Sequence, residues 1–231
     1  MNLLVSLIKN LFFIAFLCGT LYSNEIFYSQ KGQDRFLHEQ VFKGKRNGVF
    51  VDIGAYDGVT LSNSYFFEQT LGWTGICIEP IPAAFEKLKS IRKATCIQGC
   101  ISDKYETASF MHVQGCPEML SGILENLDPR HVERILDEIK QDGGSYEIIP
   151  VRCYNINTLL LDHGVTCVDY LSLDIEGGEL DVLKSIDYSQ IDIDIIDVEN
   201  NYGVDFQSFL QSKGYIKIAD IYPDEIYQKI R

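Results

Sequence analysis

The stretch Val49–Gly58, V-F-V-D-I-G-A-Y-D-G, constrains the fold of this chain more than any other. Val49 to Ile53 is a run of β-branched and aromatic residues, long enough for one buried strand. Asp52 stands near its end, and Gly54 and Gly58 follow. Glycine lets a backbone approach a ligand closely, and a helix that starts after such a turn leaves its first amides unpaired. A strand running through glycines into a helix is therefore the physical form of a nucleotide site. The turn lacks the third glycine of the dinucleotide fingerprint, so alone it does not specify the nucleotide.

Downstream, strands and helices alternate. Leu61, Tyr65, Phe66 and Leu71 have helical spacing, closed by Gly72. Gly75–Glu79 is a second strand, and Pro82 opens a helix that buries Phe85, Leu88 and Ile91. Thr95–Ile101 is a third strand ending at Ser102-Asp103, and Tyr105–Val113 a further short one. Residues 114–128 read as a loop. Asp128-Pro129 starts a helix with Val132, Ile135, Leu136 and Ile139 in periodic positions, ended by Gly143-Gly144. Ile148–Val151 is extended and Thr158–Leu161 a short helix. Val168–Ile175 is a strand that runs into Glu176-Gly177-Gly178-Glu179 and a helix carrying Leu180, Leu183 and Ile186. Ile193–Val198 ends at Glu199-Asn200-Asn201. A helix around Phe206–Leu210, the run Gly214–Ile218 and an extended piece near Ile226 complete the chain.

This alternation predicts an α/β fold, a mainly parallel sheet with helices on both faces. Ligands of such sheets sit outside the carboxyl ends of the strands. The residues at those ends are Asp52 and Gly54, Glu79, Ser102 and Asp103, Asp174 and Glu176, and Glu199 and Asn200.

Composition sets the outer bounds. The 231 residues, 46% hydrophobic, suit one domain of about 200 residues with a real core. A net charge of -13 repels phosphate backbones, which argues against nucleic acid as a partner. The seven cysteines include no C-x-x-C pair, and Cys96-x-x-x-Cys100 has no second pair at zinc-finger spacing. Reduced, buried thiols are expected, with Cys77 and Cys167 in or beside apolar runs. Residues 3–23 are apolar around Lys9, and Leu11–Leu21 fits the core of a signal peptide, with a membrane anchor as the rival. Residues 1–23 are therefore set apart from a domain spanning 24–231, whose lead-in segment is 24–48.

Glu79 follows Gly54 by about 25 residues, the spacing at which a carboxylate accepts both ribose hydroxyls of a nucleotide. Asp52 and Asp57 beside the turn disfavour phosphate and favour a ligand with positive groups. S-adenosylmethionine has a ribose, no phosphate, an ammonium and a sulfonium. The blocks V-D-I-G-A-Y-D-G, G-W-T-G-I-C-I-E-P-I-P, C-I-S-D and Y-L-S-L-D-I-E-G-G-E-L-D-V-L resemble the FkbM-family S-adenosylmethionine-dependent methyltransferases. Tyr28-Ser29-Gln30 with Gln33-Asp34 resembles that family's N-terminal segment, and the likeness covers about residues 28–220.

The resemblance implies a Rossmann-like class I methyltransferase fold with a seven-stranded sheet, the last strand antiparallel. It implies methyl transfer to oxygen on a sugar, glycan or natural product. Asp52, Gly54, Asp57 and Gly58 would hold the amino-acid end of the cofactor, Glu79 the ribose, and Ser102 and Asp103 would flank the adenine. Asp174 and Glu176 would lie near the acceptor. The chain departs from many relatives at Tyr56, where they carry asparagine or a small residue, and at Leu173, where they carry a basic one.

Asp174, Glu176 or Glu199 is expected to act as general base, with His112 a further candidate. Mg²⁺ at Asp174 and Glu176 finds no histidine or third clustered ligand in the sequence, so no metal is assigned. Two rivals use other residues or no chemistry. Asp192-Ile193-Asp194 is the D-x-D of a metal-dependent glycosyltransferase, though it opens a strand instead of ending one. A binding module that keeps the cofactor but has lost turnover is the other. No Tyr-x-x-x-Lys follows the fourth strand, which disfavours a short-chain dehydrogenase. No N-x-[ST] sequon occurs, and the cofactor is cytosolic, so a membrane-associated enzyme with its domain facing the cytosol is expected. Residues 114–145 are expected to cover the acceptor. Oligomeric state is not legible.

Overall fold

The computed structural model describes residues 25–115 and 117–231, so the apolar stretch 3–23 and Cys116 lie outside the described residues. In chain order the elements are α1 (Gln33–Phe36), continued by a π-helical turn over Leu37–Phe42, β1 (Val49–Ile53), α2 (Tyr65–Leu71), β2 (Thr74–Glu79), α3 (Pro82–Ile91) and β3 (Thr95–Gln98). Next come β4 (Cys100–Ile101), β5 (Thr107–Gln114), β6 (Gly122–Ile123), α4 (Pro129–Asp142), β7 (Ser145–Tyr154) and α5 (Ile156–Asp162). The chain finishes with β8 (Cys167–Leu173), α6 (Glu179–Ser185), β9 (Asp192–Glu199), α7 (Phe206–Ser212), β10 (Tyr215–Ile221) and β11 (Asp224–Lys229).

Seven strands form one sheet in the order β10-β11-β9-β8-β1-β2-β3. β1 pairs in parallel with β2 and β8, and β11 runs antiparallel between β9 and β10. Alternating side chains feed two cores. Val51, Ile53, Ile76 and Ile78 pack on one face with Leu159, Leu160, Val182, Leu183 and Leu210 of α5, α6 and α7. Phe50 and Cys77 pack on the other with Phe66, Phe67, Phe85 and Leu88 of α2 and α3. Both faces are thereby removed from water, as a parallel sheet requires. Strand order reverses between β1 and β8, and ligands of open α/β sheets bind at such a switch.

Four expectations are corrected. No helix follows Gly58 directly, because Asp57 accepts from the amides of Val59 and Thr60 and holds a turn there, with α2 starting only at Tyr65. Leu61 falls outside that helix and is exposed. The third strand breaks at Gly99 (φ 149°), where an added Cβ would lie 2.6 Å from the Arg152 carbonyl oxygen. Beyond the break the chain joins a second sheet, β4-β7-β5-β6, which the sequence did not announce. Ile91 and Cys167 are exposed instead of buried. Cys77, Cys96, Cys100, Cys153 and Cys167 are free thiols. Among the described residues no helix is long and apolar enough to cross a membrane.

Candidate active site

β1, β2, β3, β8 and β9 deliver Gly54, Glu79, Gly99, Asp174 and Glu199 to one edge of the large sheet. The Asp174 amide donates to the Ile53 carbonyl (3.1 Å), and the Gly54 amide to the Ile78 carbonyl (3.0 Å). Gly54 is at φ 92°, and a Cβ there would stand 1.7 Å from the Asp174 carbonyl oxygen. Glycine is thus required so that the β1 turn and the β8 end can touch.

Two adjoining cavities open at this edge and share Gly54, Tyr56, Met119, Asp174 and Glu176. The smaller, a slot of about 80 Å³, has Glu79 among walls of Ile78, Ile81, Ile101, Phe110 and Ile123. The larger, about 660 Å³, is lined by Asp52, Asp57, Glu118, Asp174, Glu176, Glu199 and Asp224, with Lys31 and Arg134. The lead-in segment contributes Gln30 and Gln33, and the strap after β5 contributes Gly115 and Pro117–Leu120.

Glu79 is buried, and its oxygens accept from the Tyr56 amide (2.8 Å) and the Ile81 amide (2.7 Å). A carboxylate has about four acceptor positions, so each oxygen keeps one. Burial raises its pKa to about 7, against the pull of the two amides. Tyr56 ties the slot to the strap, because its hydroxyl donates to Glu118 (2.8 Å).

Asp174, Glu176 and Glu199 converge, with one oxygen of each within 4.8 Å of the others. Burial and then Glu199 hold the Asp174 carboxyl well above its usual range, and burial and then Asp174 do the same to Glu176. Burial and Glu176 raise Glu199 to about 8. A carboxyl poised near neutrality can take a proton that an ordinary surface acid cannot. The expectation of no third ligand for a metal fails here, since β9 brings Glu199 beside Asp174 and Glu176.

Other predicted residues fall elsewhere. Asp52 lines the large cavity but is buried in a network, accepting from the Ser64 hydroxyl 4.0 Å from Arg92. Asp57 lines it as well, while capping its own turn. Gly58 lines neither cavity: it packs on Leu88 and Arg92, and its carbonyl accepts from Arg92. Ser102 and Asp103 line neither, because the break at Gly99 moves the strand end back and leaves Gly99, Cys100 and Ile101 at the slot. His112 lies on β5 between Glu118 and Glu147, outside both cavities. Asp192 and Asp194 sit at the start of β9 in ion pairs with Lys229 and Arg231, which puts the D-x-D at the opposite sheet edge.

The sequence reading missed Glu118, Arg134 and Asp224. They come from a short 3₁₀ turn (Glu118–Leu120), an exposed helix face and the strand beside β9, and no motif marks them.

A family profile described as "Methyltransferase FkbM domain" matches residues 52–228. No curated protein matches by sequence. Among solved structures the chain is similar to "Human methyltransferase 10 domain containing protein", at 10% identity and a TM-score of 0.41, covering 89% of this chain and 86% of that one. The family match runs from Asp52 in β1 to Gln228 in β11 and so spans the strand ends that carry Gly54, Glu79, Asp174 and Glu199; the chain belongs to the FkbM methyltransferase family.

Proposed function

We propose that this methyltransferase uses S-adenosylmethionine and methylates a hydroxyl oxygen on a sugar, glycan or natural product. The observation that carries the reading is a single buried acid, Glu79, in an apolar slot that opens past Gly54 onto three clustered carboxylates. The donor set fits the cofactor. Glu79 has acceptor positions left for a ribose, the walls Ile81, Ile101 and Phe110 suit a flat base, and Asp52 and Asp57 line the larger cavity by the turn, where their charge would favour an ammonium.

When bound, the cofactor supplies a sulfonium methyl: the acceptor oxygen forms the O–C bond as the C–S bond breaks, leaving a neutral thioether. The protein's own work is positioning and proton removal. Holding the two reactants in line is worth up to about 7–11 kcal/mol of barrier. A carboxylate oxygen of Asp174, Glu176 or Glu199 takes the hydroxyl proton and passes it to water in the open chamber. Gly115, Pro117–Leu120, Gln30 and Gln33 surround the acceptor space.

The test is transfer of a labelled methyl group to a panel of sugars, glycans and small alcohols, with the product's linkage read by mass spectrometry. A methyl ether supports the reading. Transfer confined to amines or thiols contradicts it. The segment 3–23 would tether the enzyme to a membrane, with the domain on the cytosolic side and a lipid-linked glycan as acceptor. An intact N-terminus on the mature protein supports this tether, and cleavage after Ser23 with release from the cell contradicts it.

A further inference from the structure

The β11 side of the large chamber lies across β9 and β8 from the slot that holds Glu79. It is built by a two-residue turn: Ile221 and Asp224 pair across β10 and β11, with Tyr222 and Pro223 between them. Tyr222, Pro223 and Asp224 all line the chamber. Tyr222 is 76% exposed, the most exposed large hydrophobic side chain among the described residues. An aromatic ring left in water at the rim of a cavity has an apolar face to offer a ligand.

Asp224, two residues on, is 6% exposed. Its Oδ2 accepts from the side-chain amide of Gln33, itself buried and brought in from the lead-in segment. Oδ1 takes no hydrogen bond among the described residues. A buried carboxylate with one oxygen fixed and the other free is a ready acceptor for a ligand's hydroxyl. Asp224 pairs in register with Glu199, and Glu199 follows Val198, the partner of Leu173 that precedes Asp174. Asp224 therefore stands about 4.8 Å along the sheet from Glu199, about the width of one sugar ring.

We propose that Tyr222 and Asp224 form the acceptor subsite for an uncharged sugar ring, with the C–H face of the ring on Tyr222 and a ring hydroxyl donating to Asp224 Oδ1. A pyranose has an apolar face and a polar edge, and this wall presents an apolar ring beside a polar pair. Gln33 orients the acid that reads the edge. Carboxylates outnumber cationic side chains around the chamber, so a phosphate or carboxylate on the ring is repelled. That the ring is the methyl acceptor rests on the proposed function; that this wall binds it does not.

The experiment is saturation-transfer NMR on the full chain with the methyl pyranosides of glucose, galactose, mannose, fucose and rhamnose, beside glucose 6-phosphate. Tyr222→Ala, Tyr222→Phe and Asp224→Asn are run in parallel, with circular dichroism to establish folding and S-adenosylhomocysteine binding read on the same samples. At least one neutral pyranoside is expected to bind saturably. Tyr222→Ala should weaken it about threefold or more and Asp224→Asn about tenfold, while Tyr222→Phe keeps the ring and the affinity. Tyr222 is exposed, so its variants carry the test even if Asp224→Asn fails to fold. No saturable binding by any neutral pyranoside, binding that Tyr222→Ala leaves unchanged, or a preference for the phosphorylated sugar overturns the proposal. S-adenosylhomocysteine binding without pyranoside binding removes the sugar subsite and leaves the methyltransferase reading standing. Pyranoside binding that the variants weaken, without S-adenosylhomocysteine binding, does the reverse.

Discussion

Glu79 is where burial and ligand chemistry meet. Its carboxyl is pushed up to about 7 by burial. Ribose hydroxyls donate, so they favour the charged form, and binding must drive off a proton from the neutral one. Affinity for S-adenosylhomocysteine should therefore rise with pH up to about 7 and then level off, and Glu79→Gln should abolish that dependence. Calorimetry across that range reads it directly; a flat wild-type profile would contradict the account.

Gly54 makes a second prediction at the residue scale. Gly54→Ala puts a methyl 1.7 Å from the Asp174 carbonyl oxygen at φ 92°. The conformation alone is worth about 1–3 kcal/mol. The overlap adds to that, so a large loss of stability in denaturant melts is expected. Strand-end acids were legible because a carboxylate has no reason to end an apolar strand unless it faces solvent or a ligand. The role of Asp52 was less legible. Ser64 and Arg92 engage it, and the pairing depends on how α2 and α3 pack. The same packing turns Gly58 toward Leu88.

At the scale of elements, Arg92 joins α3 to the turn after β1. Its fully buried guanidinium pairs with Glu68 and donates to the Gly58 carbonyl (3.1 Å) and the Ser64 hydroxyl (2.8 Å). Arg92→Met should destabilise by about 3–5 kcal/mol, because Glu68 is left buried without its partner. A double variant with Glu68→Gln should be less damaged than the two effects summed, as urea melts would show.

Tyr56 and Glu118 link the slot to the strap, and Tyr56→Phe should speed amide exchange over residues 118–120 while leaving the fold intact. Tyr56 thus supplies the bond that reaches the strap. The central sheet was legible from the alternation of apolar runs and helical stripes. The second sheet was not, since β4 and β6 have only two residues each and are defined by their partners, not by any local pattern.

At the scale of the whole molecule, the proposed cofactor site joins two parts of the large sheet. The slot lies by β1 and β2, and the chamber by β8 and β9. A ligand spanning both should stabilise the fold as a unit. S-adenosylhomocysteine at about 100 times its Kd contributes about 2.7 kcal/mol and should raise the melting temperature by several degrees. NAD and UDP-glucose should leave it unchanged, and a shift with UDP-glucose would favour sugar-nucleotide chemistry instead.

The central claim is that Glu79 anchors S-adenosylmethionine beside Asp174, and calorimetric titration of the full chain and of Glu79→Ala tests it most directly. The account predicts saturable binding by the wild type, weakened by about 1.5–3 kcal/mol in the variant, as expected for a lost charged acceptor. A folded wild-type protein that binds no S-adenosylmethionine, or that binds it equally well without Glu79, would contradict it.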